Sequence, residues 1–284
     1  MKKRLFSLIL LVVTSASFSF GQLFIKVGGG YGIGASGDEW LSSISDSTGL
    51  TNQILRYGSN GEGGVFGAEI GYLFNDHLGI QLGAEYLMGA RQGIVSIQSP
   101  GMSLLQEGYS RQLRLLPAVI ISSGLGGIDP YCRVGASLPL TSTTTIEHVE
   151  TDGSGIGGAN TTIISEISGK FVFGFHGAFG CNFSLNSRLA IFAEVGGVSQ
   201  RLKGKSGEIT RWDVDGVDQL ASTNLIDRQW NYLEEINSNS NTAILNPAFD
   251  PEQPEDRVQI TQNLSSVFFK GGVTIFVGGV GSDD

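Results

Sequence analysis

Few groups in this chain are equipped for chemistry. Its 284 residues include three histidines and two cysteines. His77 follows Asn75-Asp76 in a short turn, His148 lies in Glu147-His148-Val149-Glu150, and His176 stands alone in an apolar stretch. A lipid-modifying enzyme needs a Ser and a His together beside a lipid-facing groove. Ser165, Ser199 and His148 are the candidates, but nothing in their spacing demands a catalytic set. The expectation is no catalytic residue and no enzyme. Asp213-Val-Asp215-Gly216-Val-Asp218 concentrates the oxygen ligands that calcium takes. It lacks EF-hand spacing and reads as a solvated acidic loop. Cys132 and Cys181 belong to no Cys/His cluster with zinc spacing. No metal and no cofactor are expected. What remains is electrostatic: Lys26, Glu69, Glu85, Arg114, Arg133, His176, Glu194 and Lys270, each inside an otherwise apolar segment.

The segments that carry these groups alternate. From Gly169 to Phe183, one set of every-second residues is Phe171, Phe173, Phe175, Gly177, Phe179, Cys181 and Phe183. The other set is Val172, Gly174, His176, Ala178, Gly180 and Asn182. A period of two means a strand with an aromatic face and a small, polar face. Eight such segments follow the chain: 23–33, 65–74, 77–87, 111–121, 131–140, 169–183, 188–198 and 267–277. Applying one parity throughout puts all eight charged or titratable residues on the small, polar face. Glu69, Glu85 and Glu194 then stand against Lys26, Arg114, Arg133 and Lys270 as a lumen network. In lipid each charge costs ~2–4 kcal/mol at mid-depth; inside a narrow barrel they pair. A soluble barrel of the lipocalin kind would reverse the faces, with an apolar interior and a charged exterior.

Connection lengths alternate too. Three are short, at 75–76, 122–130 and 184–187. Four are long, around 34–64, 88–110, 141–168 and 199–266. An up-and-down barrel thereby collects every long loop on one rim and every short turn on the other, the arrangement of outer-membrane barrels. Phe171 to Phe183 covers ~30 Å of membrane normal at ~3.3 Å per residue and a tilt near 40°. The predicted fold is all-β: an eight-stranded antiparallel up-and-down transmembrane β-barrel with long extracellular loops. Eight strands leave an interior that side chains fill. Cys132 and Cys181 fall on adjacent strands and the outward face, and read as two free thiols. Within the longest loop, 217–237 shows a ragged helical pattern, with strand extensions equally open. Asn237 to Asp256 reads as flexible.

Residues 1–21 read as a signal peptide: Lys2, Lys3 and Arg4, an apolar core Leu5 to Val13, then Ser19-Phe20-Gly21. Residues 22–284 form one barrel domain. Loss of those three bases takes the formal charge from -9 to about -12, and such acidity argues against nucleic-acid partners.

Signal, eight alternating strands and rim asymmetry together resemble the small bacterial outer-membrane β-barrel proteins, of which the OmpA-type transmembrane domain is one. The Ser-Phe-Gly-Gln signal end and Gly-rich strands look like the Bacteroidetes-type outer-membrane barrel domain. In the last strand, Lys270, Gly272, Ile275 and Val277 resemble the assembly signal that the barrel assembly machinery reads in this family, although residues 278–284 follow where members often end at Phe. The resemblance implies a bacterial outer-membrane location, with outer-membrane lipid and the assembly machinery as partners; the peptidoglycan-binding domain that follows the barrel in full-length OmpA-type proteins is not expected here. The expected function is a structural or binding protein whose long loops, especially 199–266, engage a surface ligand or protein. The alternative is an accessory barrel of a secretion or transport complex. A lipid-modifying enzyme is the third reading.

Overall fold

The computed structural model describes residues 21–35, 38–45, 51–99, 101–152 and 159–277. The expected signal peptide, apart from Gly21, lies outside the described residues, as do residues 278–284. In chain order the strands are β1 (Gln22–Gly34), β2 (Asp38–Ser45), β3 (Thr51–Gly58), β4 (Gly63–Leu73), β5 (Leu78–Gly89) and β6 (Gln92–Ser99). They continue with β7 (Met102–Ser122), β8 (Ile128–Asp152), β9 (Thr161–Lys170), β10 (Gly174–Ser184), β11 (Leu189–Ser199) and β12 (Arg201–Val214). Last come β13 (Val217–Asp218), β14 (Gln229–Leu233), β15 (Glu255–Val258), β16 (Thr261–Asn263) and β17 (Ser266–Val277). One helical turn, α1 (Leu225–Arg228), precedes β14.

Eight strands close a ring: β1-β4-β5-β7-β8-β10-β11-β17 and back to β1, each pair antiparallel. They contain the eight segments expected from alternation to within a residue at each end, except that 169–173 falls outside β10. The closing pair runs from Leu23↔Val277 to Gly34↔Ser266. Glycine permits the close approach on the inner face: a Cβ at Gly272 would lie 2.2 Å from the Val27 carbonyl oxygen. The outward row Val27, Phe66, Ile80, Phe175, Phe179, Ile191, Phe269 and Ile275 is exposed. The inward row Phe24, Lys26, Gln81, Glu85, Arg114, Arg133, His176, Glu194 and Thr274 is buried.

The short turns close on side-chain oxygens. Asn75 Oδ1 accepts the backbone N–H of His77 at 2.9 Å and of Leu78 at 2.8 Å. Asn186 Oδ1 repeats the device with Arg188 and Leu189, both at 2.9 Å. At the middle turn the Asp129 carboxylate accepts Ser122 and Ser123 hydroxyls and the Gly124 N–H. A short polar side chain beside a turn supplies the acceptor that the turning backbone lacks.

Two strands overrun the barrel. β7 has 21 residues and β8 has 25, and they stay paired up to Met102↔Asp152. Above the long-loop rim the sheet runs β6-β7-β8-β9-β12-β14-β15. Much of what read as loop is therefore strand. The expected single strand 169–183 is two, because Lys170 ends β9 and Gly174 starts β10. At that height β8 exchanges β10 for β9 as its neighbour. Buried Gln200 fills the break: its Nε2 donates to the Val172 carbonyl at 2.5 Å. A second interruption lies lower, where the β7–β8 ladder skips Leu116 and Pro117. The Pro117 carbonyl points at Gly135. Backbone N and O of one residue in an antiparallel pair face the same neighbour, so the N–H that proline lacks is missing from this seam.

Of the two readings left open for 217–237, strand extension holds at 229–233. Only a 3-10 turn at Leu220–Ser222 and α1 are helical. Trp230 and Tyr232 alternate inward and pack with Ile167, so burial at period two outweighs local helical spacing. The flexible reading of 237–256 is corrected. Asn241 Nδ2 donates to the carbonyls of Asp250, Gln253 and Pro254, at 3.0, 3.2 and 3.0 Å. Its Oδ1 accepts the Asp250 N–H at 2.7 Å.

Candidate functional site

The lumen is built from alternate residues of the eight ring strands. Arg133 grips Glu194 with two bonds, Nε at 3.0 Å and Nη2 at 2.5 Å, and reaches Glu69 at 3.4 Å. Tyr131 donates its hydroxyl to the same Glu194 at 3.1 Å. Glu85 joins Arg114 and Lys270. Gln81 donates to Glu69 at 3.1 Å. Glu69, Arg133 and Glu194 thus form one bonded group and Glu85, Arg114 and Lys270 a second, within the same lumen. His176 is buried at its side, against the Pro117 carbonyl.

Lys26 is placed differently. No carboxylate lies within ion-pair distance of it among the described residues. Its Nζ sits 3.6 Å from the Tyr131 ring centroid, with Phe192 at 5.3 Å and Phe24 at 5.7 Å. Ring faces are electronegative, so the cage replaces part of the lost hydration. Cavities of about 20 and 10 Å³ flank Lys26. At the long-loop mouth, Val65, Leu87, Leu202 and Leu264 cluster and cover the lumen. Side chains fill this barrel, and its charges act on each other.

The overrunning sheet offers a surface instead. Its inner face carries Ile167, Trp230 and Tyr232 with Ile146, Ile209 and Ile260. Arg257 stacks on Trp230 at 4.2 Å, and burial raises the Tyr232 phenol above its ordinary pKa. Its outer face is polar. Glu107 and Glu147 face each other across β7 and β8, and Arg91 bridges them at 3.4 and 2.6 Å. The Glu147 hydrogen bond and charge raise the Arg91 guanidinium above its ordinary value. Beside them is a hollow of about 220 Å³ lined by Glu166, Ser168, Ser206, Glu208, Gln229 and Asn231.

The acidic stretch is spent on structure. Asp213 pairs with Arg211 at 2.5 Å, Asp215 accepts the Asn160 N–H at 2.8 Å, and Asp218 accepts the Leu220 N–H at 2.8 Å. Asp215 and Gly216 have φ of 50° and 79°, a two-residue hairpin turn between Val214 and Val217. That Asp-Gly signal between β-branched residues was available in the sequence. Among the described residues no cluster could hold a metal. His148 Nε2 lies 3.9 Å from Glu150. Ser165 sits opposite Ile146, two pairs from His148, while Ser199 ends β11, opposite Phe175. The three do not form a hydrogen-bonded set. Cys132 and Cys181 are free and half-buried. They are diagonal neighbours, since Cys132 pairs with Phe179 and Cys181 with Pro130. Sequence reasoning missed β6, β9 and β12, and with them this outer surface.

No known protein family matches the chain, and no curated protein matches it in sequence. Among solved structures it is similar to the outer membrane protein OprG from Pseudomonas aeruginosa, with 11% identity and a TM-score of 0.43 over 91% of this chain and 96% of that one. It is also similar to CarO2 of Acinetobacter baumannii, with 14% identity and a TM-score of 0.35 over 89% of this chain and 99% of that one. At these scores the fold rests on the closed hydrogen-bond ladder of the chain itself.

Proposed function

We propose that the chain is an integral outer-membrane barrel that anchors a binding surface built by its long loops. One observation carries the reading: the wall is exposed, apolar and aromatic, while the strand charges lie inside. Phe171, Phe175 and Phe179 are 65%, 61% and 73% exposed. Water makes such a wall costly, and hydrocarbon makes it favourable. Outer-membrane lipid covers this wall. The barrel assembly machinery reads β17 through Lys270, Gly272, Ile275 and Val277. The long-loop sheet, with the segment 199–266 at its centre, meets a surface ligand or protein. This reading assigns the barrel no catalytic role.

The membrane-extracted protein is expected to run as a compact band that shifts on boiling. Protease added to whole cells is expected to cut only in the long loops. A protein recovered wholly in the periplasmic fraction overturns the proposal. A stable complex on purification would favour the accessory role in secretion or transport, and altered lipid A in cells lacking the protein would favour enzymatic activity.

A further inference from the structure

Lys170 and Lys203 face each other directly across β9 and β12. Like charges so placed repel. On the same face, Arg201 lies two residues before Lys203 on β12, and Lys205 follows at the bulge between Gly204 and Ser206. Leu202 and Gly204 between them are buried and inward, so these cations point outward. Arg201, Lys203 and Lys205 are exposed, and among the described residues none of them has a salt bridge. Lys170 donates only to the Tyr232 carbonyl, at 3.3 Å.

The other opposed pairs on this face differ. Arg91 bridges Glu107 and Glu147. Gln229 donates to Glu208, which faces Glu166. Among the described residues no carboxylate lies within ion-pair distance of these cations, although the chain is acidic overall. Their height is also particular. The next residues after Lys170 include Phe171, Phe173 and Phe175, all exposed on the outer wall. The cations thus stand just above the aromatic end of the apolar band, where hydrocarbon gives way to headgroups.

We propose that Lys170, Arg201, Lys203 and Lys205 bind the phosphate groups of a phosphorylated glycolipid in the outer leaflet, with its acyl chains on the Phe171–Phe175 face. This inference rests on the outer-membrane reading. Charge complementarity selects an anionic headgroup, and position at the rim selects a lipid over a free anion. Basic residues near a membrane surface each strengthen binding to anionic lipid about five-fold, and salt screens the effect.

The test uses the detergent-purified full chain, with lipid A and dephosphorylated lipid A as probes and native mass spectrometry as readout. Wild type is expected to retain lipid A and release the phosphate-free form. Arg201→Gln with Lys203→Gln is expected to weaken retention about 25-fold, five-fold for each cation. Arg188→Gln, which removes an exposed cation at the opposite rim, is expected to change nothing. All variants must show the compact band that shifts on boiling. With that band present, equal retention by the double variant overturns the inference and leaves the barrel reading intact. Displacement of lipid A by inorganic phosphate at constant ionic strength also overturns it. Absence of the compact band in wild type defeats the outer-membrane reading itself.

Discussion

Asn241 and Asp256 hold each other twice. The Asn241 N–H donates to the Asp256 carboxylate at 2.7 Å, and the Asp256 N–H returns a bond to the Asn241 carbonyl at 2.8 Å. With the four side-chain bonds of Asn241, this pair fastens the tip of the longest connection to the start of β15. Asn241→Ala removes those four, and at ~1 kcal/mol net for each the local opening free energy falls by about 2–4 kcal/mol. Limited proteolysis is expected to cut the variant within 237–256 much faster, with the barrel still shifting on boiling. Equal cutting rates would show that something else holds the loop.

Arg133 and Glu194 are both buried, and their pairing joins β8 to β11 over the intervening β10. Removing one partner leaves an uncompensated charge, so Arg133→Ala is expected to cost about 3–5 kcal/mol. Replacing both, as Arg133→Met with Glu194→Leu, is expected to cost less. Urea unfolding in lipid vesicles measures both. A double variant as unstable as the single one contradicts the pairing.

Phe179 is the most exposed phenylalanine of the wall at 73%. Arg at this position would be harmless in water. In lipid it is expected to destabilise the barrel by about 2–4 kcal/mol at mid-depth. Unfolding of Phe179→Arg in vesicles separates the two surroundings, and no loss of stability would argue against lipid at this face.

Cys132 and Cys181 share the outward face on paired strands, offset by two residues. A water-soluble maleimide is expected to miss both in vesicles and to label both after unfolding. A mobility difference between reduced and unreduced samples would instead reveal a disulfide.

The ring of strands was legible because it needs only alternation. Phe171 to Phe183 and Leu78 to Leu87 each display one face outward, and parity sends Glu85 and Glu194 inward with their partners. Which cation meets which carboxylate was not legible. Lys26 and Arg133 share a parity, yet one finds Glu194 and the other a ring of aromatics, because register and depth decide the contact. The overrunning sheet escaped for another reason. β9 and β12 are polar on one face and mix glycine and serine with isoleucine, so their alternation is faint. Neighbouring strands supply the order that their own residues do not announce. Asn241 illustrates the limit: its environment of Asn, Ser and Pro has the composition of a loose segment, and only the converging carbonyls make it a clasp.

The paired length of β7 and β8 has a mechanical consequence. A 25-residue strand rises about 60 Å at ~3.3 Å per residue and a tilt near 40°, more than twice the ~25 Å apolar band. The overrun is a cantilever rooted in the wall. A push at Asp152 travels down one continuous pair of strands and meets its weakest link where the seam lacks bonds, beside Pro117. The lever's compliant point therefore lies inside the bilayer-facing wall, so a load on the distal tip is felt as strain within the barrel.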